Sequence, residues 1–300
     1  MRTLLKRLLA GVAALVVIIA VAATSLYFVS QSKLHRRYVV AVQPVPVPTG
    51  ADAIARGHHI ALIHGCLECH GPDAGGHMVI DNPAMGKLYA PNLTHGVGGL
   101  KASYSTVDWV RAIRHGVGGD GRTLVLMPSL EFSTMSDADV GDLIAYLDSL
   151  PSVDRISPPV RLGPVSRMLI ATGKMRLSAA ELVHMNVKPS TVQPGPTAAY
   201  GHYLAANCMG CHNPALSGGK IAEGPPNWPP AANLTPGPGS AVAHWTEAQF
   251  VETMRTRRTP DGRTLSPVMP DFVGHMSDTE LSALWTYLRT LPPKPTGQQG

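Results

Sequence analysis

Gly65-Cys66-Leu67-Glu68-Cys69-His70 (GCLECH) and Asn207-Cys208-Met209-Gly210-Cys211-His212 (NCMGCH) together hold every cysteine of the 300-residue chain. Both read Cys-x-x-Cys-His, and no thiol is left over. Three chemistries use such a pair. A structural zinc ion needs four ligands in a tetrahedron, and these pairs lie 142 residues apart, each in its own setting. A redox dithiol of the thioredoxin kind needs a βαβ setting and no adjacent histidine. Covalent attachment of a c-type haem accounts for every element of the motif. On one helical turn the two thiols face one porphyrin edge and add to its vinyl groups, and the next residue offers an imidazole to the iron. Cys66, Cys69, Cys208 and Cys211 are therefore the expected attachment points of two haems, with His70 and His212 as proximal ligands.

Working outward from the motifs, the chain repeats itself. Asn92-Leu93-Thr94 returns as Asn233-Leu234-Thr235, Asp120 to Leu124 (DGRTL) as Asp261 to Leu265, and Met127-Pro128 as Met269-Pro270. Met135-Ser136-Asp137 returns as Met276-Ser277-Asp278. Self-similarity at so long a period marks a duplicated unit. Each copy predicts the same helices: one before the motif (51–64 and 197–206), one opened by a capping box (Ser105/Asp108, Thr246/Gln249), and a last one opened by another (Ser136/Asp139, Ser277/Glu280). The last helices carry apolar residues at helical period and stop at Pro151 and Pro292. No alternating strand pattern of useful length competes. The expected fold is all-α, with long loops that suit the 30 glycines and 27 prolines.

The sixth iron ligand is expected to be Met127 in one copy and Met269 in the other. Each lies 61 residues after the first cysteine of its motif and precedes a proline in a Gly- and Pro-rich loop. Met135 and Met276 also correspond, but they sit just before N-cap serines, where hydrophobic staples to Val140 and Leu281 explain them. His64, His115, His244 and His275 lie near plausible loops without a counterpart in the other copy and read as surface or hydrogen-bonded residues. The NLT tripeptides read as turns packed against each haem, with Asn92 and Asn233 within reach of a propionate. Arg122 and Arg263 read as solvated turns, and Trp109 and Phe250 as core.

Leu8 to Val29 is a run of 22 residues without charge. As a helix it spans roughly 33 Å, enough to cross a bilayer. It exceeds an ordinary signal-peptide core, and although Ala20-Val21-Ala22 resembles a cleavage signal, the apolar run continues past it. An uncleaved anchor is expected. The net charge of +5 arises before residue 51, where six basic residues stand against no acid. The remaining chain is nearly neutral, and no nucleic-acid partner is expected. Because bacteria attach haem to CxxCH outside the cytoplasm, the haem units are expected on the periplasmic face of the inner membrane. The expected layout is an anchor at 1–34, a stiff Pro-rich spacer at 35–50 that lifts the rest from the membrane, haem units at 51–152 and 197–300, and a strap at 153–196. Short helices are expected in the strap near 165–177 and 179–185.

These motifs resemble class I c-type cytochrome domains over residues 51–300, above all those of the cytochrome subunits of membrane-bound alcohol and gluconate dehydrogenases. The resemblance implies two tandem small helical domains, each with its first and last helices crossed over a haem. It implies one-electron relay between a membrane-bound dehydrogenase or quinol-oxidising complex and a terminal oxidase or soluble cytochrome. Such subunits typically carry three haem domains tethered near the C-terminus; this chain has two motifs and an N-terminal apolar run. The rival readings are a dihaem peroxidase, which needs an open iron, and a structural or sensor haem subunit. An electron carrier rather than an enzyme is expected.

Overall fold

The computed structural model describes all residues except Met1, Arg176, Glu223, Pro226 and Gly300. The chain opens with α1 (Arg2–His35), followed by α2 (Ala51–Ile63), α3 (Cys66–His70), β1 (His77–Asn82), β2 (Gly86–Ala90), α4 (Thr106–His115), α5 (Ser129–Phe132) and α6 (Asp137–Ser149). The connecting region holds β3 (Arg161–Leu162), α7 (Pro164–Ala171) and α8 (Ser178–Leu182). The second copy contains α9 (Ala198–His212), α10 (Glu247–Thr256), a 3₁₀ turn (Asp271–His275) and α11 (Asp278–Thr290).

The fold is mostly helical, as the periodicity predicts, with one addition. β1, β2 and β3 form a small antiparallel sheet. Its strands are short, partly exposed and interrupted by a register shift between Met78 and Ile80. So weak an alternation is hard to read, whereas the turn that makes the hairpin is local: Asn82 Oδ1 accepts from the backbone N–H of Ala84 at 2.8 Å.

Each copy builds its own core. In the first, Ile60, Trp109, Val110, Ile113, Met135, Val140 and Leu143 pack together; in the second, Leu204, Phe250, Met254, Met276, Leu281 and Leu284 do so. Met135 and Met276 are 2% and 0% exposed and share these clusters with Val140 and Leu281, as staples should. The first and last helices of each copy cross at a glycine. A Cβ on Gly57 would lie 1.9 Å from the Asp142 carbonyl oxygen, and one on Gly201 1.9 Å from that of Ala283.

Residues 37–48 do not stand free. Tyr38 N–H donates to the Gly121 carbonyl at 2.8 Å, and Val42, Val45 and Val47 join the first core. The carbonyl of Pro46 lies against Gly141 of α6, only 2.2 Å from where a Cβ would stand. The proline-rich segment is thus packed along the first copy rather than standing off it as a spacer.

Candidate functional site

The two motifs are presented differently. In the second copy α9 runs unbroken into Cys208–His212. In the first, α2 stops at Ile63, Gly65 adopts φ 66°, and α3 restarts at Cys66. Two additional residues cause the break: nine positions separate Gly57 from Cys66, and seven separate Gly201 from Cys208.

After each motif the chain turns in the same way. Gly76 N–H donates to the His70 carbonyl at 2.8 Å, and Gly218 N–H to that of His212 at 2.9 Å. Ala74 and Leu216, both fully buried, take left-handed φ of 52° and 55°. The loop then meets the NLT turn: Leu93 N–H donates to Ala74 and Leu234 N–H to Leu216, at 2.8 and 2.9 Å.

This turn orients the histidines. His70 Nδ1 lies 2.8 Å from the carbonyl of Pro91, and His212 Nδ1 2.8 Å from that of Ala232, the residues just before Asn92 and Asn233. An Nδ1–H that donates to a carbonyl leaves Nε2 as the lone-pair nitrogen, which is the arrangement a metal-ligating imidazole uses. Burial lowers the pKa of both rings, favouring the neutral form a ligand needs.

The asparagines have no spare donor for a propionate. Asn92 Nδ2 donates to the Val153 carbonyl at 2.7 Å, and Asn233 Nδ2 to that of Lys294 at 2.8 Å. Their Oδ1 atoms accept from Thr94 and Thr235, through N–H and hydroxyl alike. The tripeptide bolts the carbonyl behind each histidine to the segment that follows the last helix. Arg122 and Arg263 pair with the Asp120 and Asp261 of their own turns, consistent with solvated turns.

Met127 is half-buried against the first core, as Cys66, Leu67 and Leu93 are; Met269 is half-buried against the second, as Cys208 and Leu234 are. Each candidate thioether therefore lies on the same apolar cluster as the cysteine of its own motif. The carbonyl of Met127 accepts from Ser178 Oγ at 3.2 Å, and that of Met269 from Arg257 Nη2 at 2.8 Å.

The donor set fits a haem. No disulfide joins any two of the four cysteines. Burial pushes the Cys66 and Cys208 thiols up to about 12, the mark of an apolar setting of the kind a porphyrin edge occupies. Among the described residues, no three His, Cys, Asp or Glu side chains converge on a cation. Cys66, Cys69 and His70 would hold one haem and Cys208, Cys211 and His212 the other, with Met127 and Met269 as the available distal groups.

The sequence did not reveal how the copies meet. Gly57-His58-His59 corresponds to Gly201-His202-Tyr203, and the third residue of each set reaches the last helix of the other copy. His59 Nε2 lies 2.9 Å from Glu280, and the Tyr203 hydroxyl donates to Asp139. Asp139 and Glu280 hold the same place in α6 and α11, so the interface has approximate two-fold symmetry. Tyr203 also alters the cap of α6. Its hydroxyl accepts from Ser136 N–H at 3.1 Å, the bond that Glu280 makes for Ser277. The alignment of GHH with GHY was the available signal.

The motifs lie at this interface. His64 Nδ1 is 2.9 Å from Asn207 Oδ1, and the His64 ring meets Phe132 edge-on at 5.6 Å. By chain geometry, Cys66 and Cys208 then lie within roughly 20 Å of each other, Cα to Cα. A Cβ on Gly210 would come within 2.8 Å of Glu131 from the first copy, and one on Gly65 within 3.2 Å of Phe272 from the second. The turn after each Met-Pro thus touches the other copy's motif. Of the other histidines considered, His115 is half-buried, and His244 and His275 are exposed.

Residues 54–151 and 198–292 match the cytochrome c family model. The chain is 29% identical to the fructose dehydrogenase cytochrome subunit of Gluconobacter japonicus, over 84% of this chain and 55% of that protein. It is 29% identical to the alcohol dehydrogenase (quinone) cytochrome c subunit of Gluconobacter oxydans, over 90% and 63%. It is 28% identical to a diheme cytochrome c-type protein of Cereibacter sphaeroides, over 79% and 86%. The chain therefore spans little more than half the length of the first of these relatives. Two matched segments, each with one CxxCH, give it two covalently bound c-type haems.

Proposed function

Since the chain belongs to the cytochrome c family, we propose that it is a membrane-anchored, two-haem relay that passes single electrons along the periplasmic face of a bacterial inner membrane. Its donor would be a membrane-bound dehydrogenase or quinol-oxidising complex, and its acceptor a terminal oxidase or soluble cytochrome. The relatives named above support this, being cytochrome subunits of dehydrogenases. We place the anchor at 1–34, the Pro-rich segment at 35–50, the haem domains at 51–152 and 197–300, and the strap at 153–196. α1 suits the anchor: its apolar window has a mean hydropathy of 2.6 and no part buried.

One observation carries the reading. In both copies an imidazole is fixed by a backbone carbonyl, and a Met-Pro methionine stands on the same apolar cluster as the motif. Two such side chains close an iron to substrates. What the haem supplies is a one-electron couple whose potential a thioether ligand raises. The residues do the rest. His70 and His212 present Nε2 with ring angles set by Pro91 and Ala232. Met127 and Met269 would each supply a thioether as the second ligand. The His64–Asn207 contact keeps the sites close enough for exchange within one chain.

Optical spectra of the full-length holoprotein test this. Two low-spin haems with the ferric methionine–iron charge-transfer band are expected. A high-spin haem that reacts with peroxide would replace the relay with a peroxidase.

A further inference from the structure

The N-terminal helix is fastened sideways to the first copy. Leu26, Ser30, Gln31, Lys33 and Leu34 form the packed stripe of α1, at helical spacing, and Ser30 is fully buried. Opposite this stripe lies α7. The Lys33 ammonium donates to the carbonyls of Ile170 and Ala171, each at 3.0 Å, closing the C-terminus of α7. The Arg167 guanidinium donates to Ser30 Oγ at 3.1 Å and lies 4.4 Å over the Tyr27 ring. As α1 runs from Tyr27 to Lys33, α7 runs beside it in the same sense, from Arg167 to Ala171. The start of α7 therefore points toward the apolar run that ends at Val29.

The β1–β2 hairpin is bolted to that start. Gly163 N–H donates to the Met85 carbonyl at 2.9 Å, Val165 N–H to that of Ala84 at 3.0 Å, and Ser166 Oγ to that of Met85 at 2.7 Å. Two uncharged stretches, Asn82-Pro83-Ala84-Met85-Gly86 and Leu162-Gly163-Pro164-Val165-Ser166, are thereby tied together. Pro83, Ala84, Pro164 and Met168 are exposed on this unit. Its charges lie outside these two stretches: Asp81 pairs with Lys87 at 3.1 Å, Arg161 faces solvent, and Arg167 is turned onto Ser30 and Tyr27 of α1. An uncharged tip with charged flanks, beside an exposed Tyr27-Phe28 pair, has the composition of a segment seated between headgroups and acyl chains.

We propose that this hairpin tip and the start of α7 form a second membrane contact that enters the headgroup–acyl boundary and fixes the tilt of the haem units. The occupant of the surface is the lipid bilayer, argued from its continuity with α1, and the inference rests on α1 being a membrane span. One anchor alone leaves a body free to swing; a second contact, set to one side, determines which face of the haem pair meets membrane-bound partners.

The test uses the full-length holoprotein, whose four native thiols are consumed in thioethers, reconstituted in phosphatidylcholine–phosphatidylglycerol vesicles. Ala84→Cys, Met168→Cys, Val17→Cys and Thr279→Cys are spin-labelled one at a time. Power saturation then compares accessibility to oxygen, which concentrates in lipid, with that to a water-soluble nickel chelate. Val17 should be lipid-exposed and Thr279 water-exposed. Labels at Ala84 and Met168 should show an oxygen-to-nickel ratio several-fold above that at Thr279 and below that at Val17. If both match Thr279 while Val17 is in lipid, the second contact is wrong and the anchor stands. If Val17 is also in water, the anchor reading fails, and this inference with it. An unchanged haem spectrum in each variant confirms folding before labelling.

Discussion

The imidazole of His59, on α2, stands 2.9 Å from both carboxylate oxygens of Glu280, on α11, and joins the two haem units. Its hydrogen bond to Glu280 raises the pKa of His59 against the opposing effect of burial. Burial alone would push Glu280 up, but the bonds from His59 and Ser277 hold it below its ordinary value. The histidine therefore contributes stability in full below its ordinary pKa of 6.5, and the contribution is lost as pH rises through the raised value. The glutamate contributes above its ordinary 4.5 and loses that contribution as pH falls through the lowered value. The contact should be strongest between these two pH values. The thermal midpoint of the holoprotein should fall between pH 6 and 8.5 more steeply in the wild type than in His59→Ala. Equal slopes would mean that the pair does not hold the units together.

Gly201 should tolerate no side chain. Alanine in a helix interior is worth about 1 kcal/mol over glycine. Here its Cβ would stand 1.9 Å from the Ala283 carbonyl oxygen and 2.7 Å from Tyr287 Cβ, so α9 and α11 would have to part. Overpacking typically costs about 1–3 kcal/mol and more against backbone. Crowding should win, and Gly201→Ala and Gly57→Ala should each lower the denaturation midpoint sharply. Gly195→Ala, whose nearest neighbour is 4.0 Å away, serves as the control.

Met127→His and Met269→His should each lower the midpoint potential of one haem and spare the other. Exchange of a thioether for an imidazole should shift it by on the order of 0.1–0.3 V, within the roughly 0.8 V that axial ligands command. Potentiometric titration of each variant checks this, and an unchanged two-step curve would refute the ligand assignment.

What the sequence made legible was local or repeated. Ser105, Thr246 and Ser277 head complete capping boxes as the S/T-x-x-D/E/Q spacing predicts. Ser136 keeps only half of its box, because Tyr203 from the other copy takes the place of the Asp139 carboxylate. No local pattern reports such a replacement. The NLT turns were visible as repeats, yet their role was not. Asn92 Nδ2 donates not to a propionate but to the carbonyls of Val153 and Arg155, about 60 residues along the chain. The GHH and GHY triplets show the same limit: their meaning lies in a partner helix more than 60 residues away.

The two methionine loops are held by unlike means, and this makes a selective test available. In the second copy Arg257 Nη2 donates to the carbonyls of Met269 and Ser266, at 2.8 and 2.9 Å, and the guanidinium pairs with Asp271. Arg257 itself sits at φ 58°, where the first copy has Gly116 at φ 62°. Arg257→Gly relieves that backbone conformation while removing charged hydrogen bonds worth about 1.5–3 kcal/mol each. The loop carrying Met269 should loosen, whereas Met127, held by Ser178, should not. The ferric charge-transfer band should fall by about half, and the remaining half should vanish when Met127→His is added. A full band in Arg257→Gly would mean that the loop is set by its apolar packing alone.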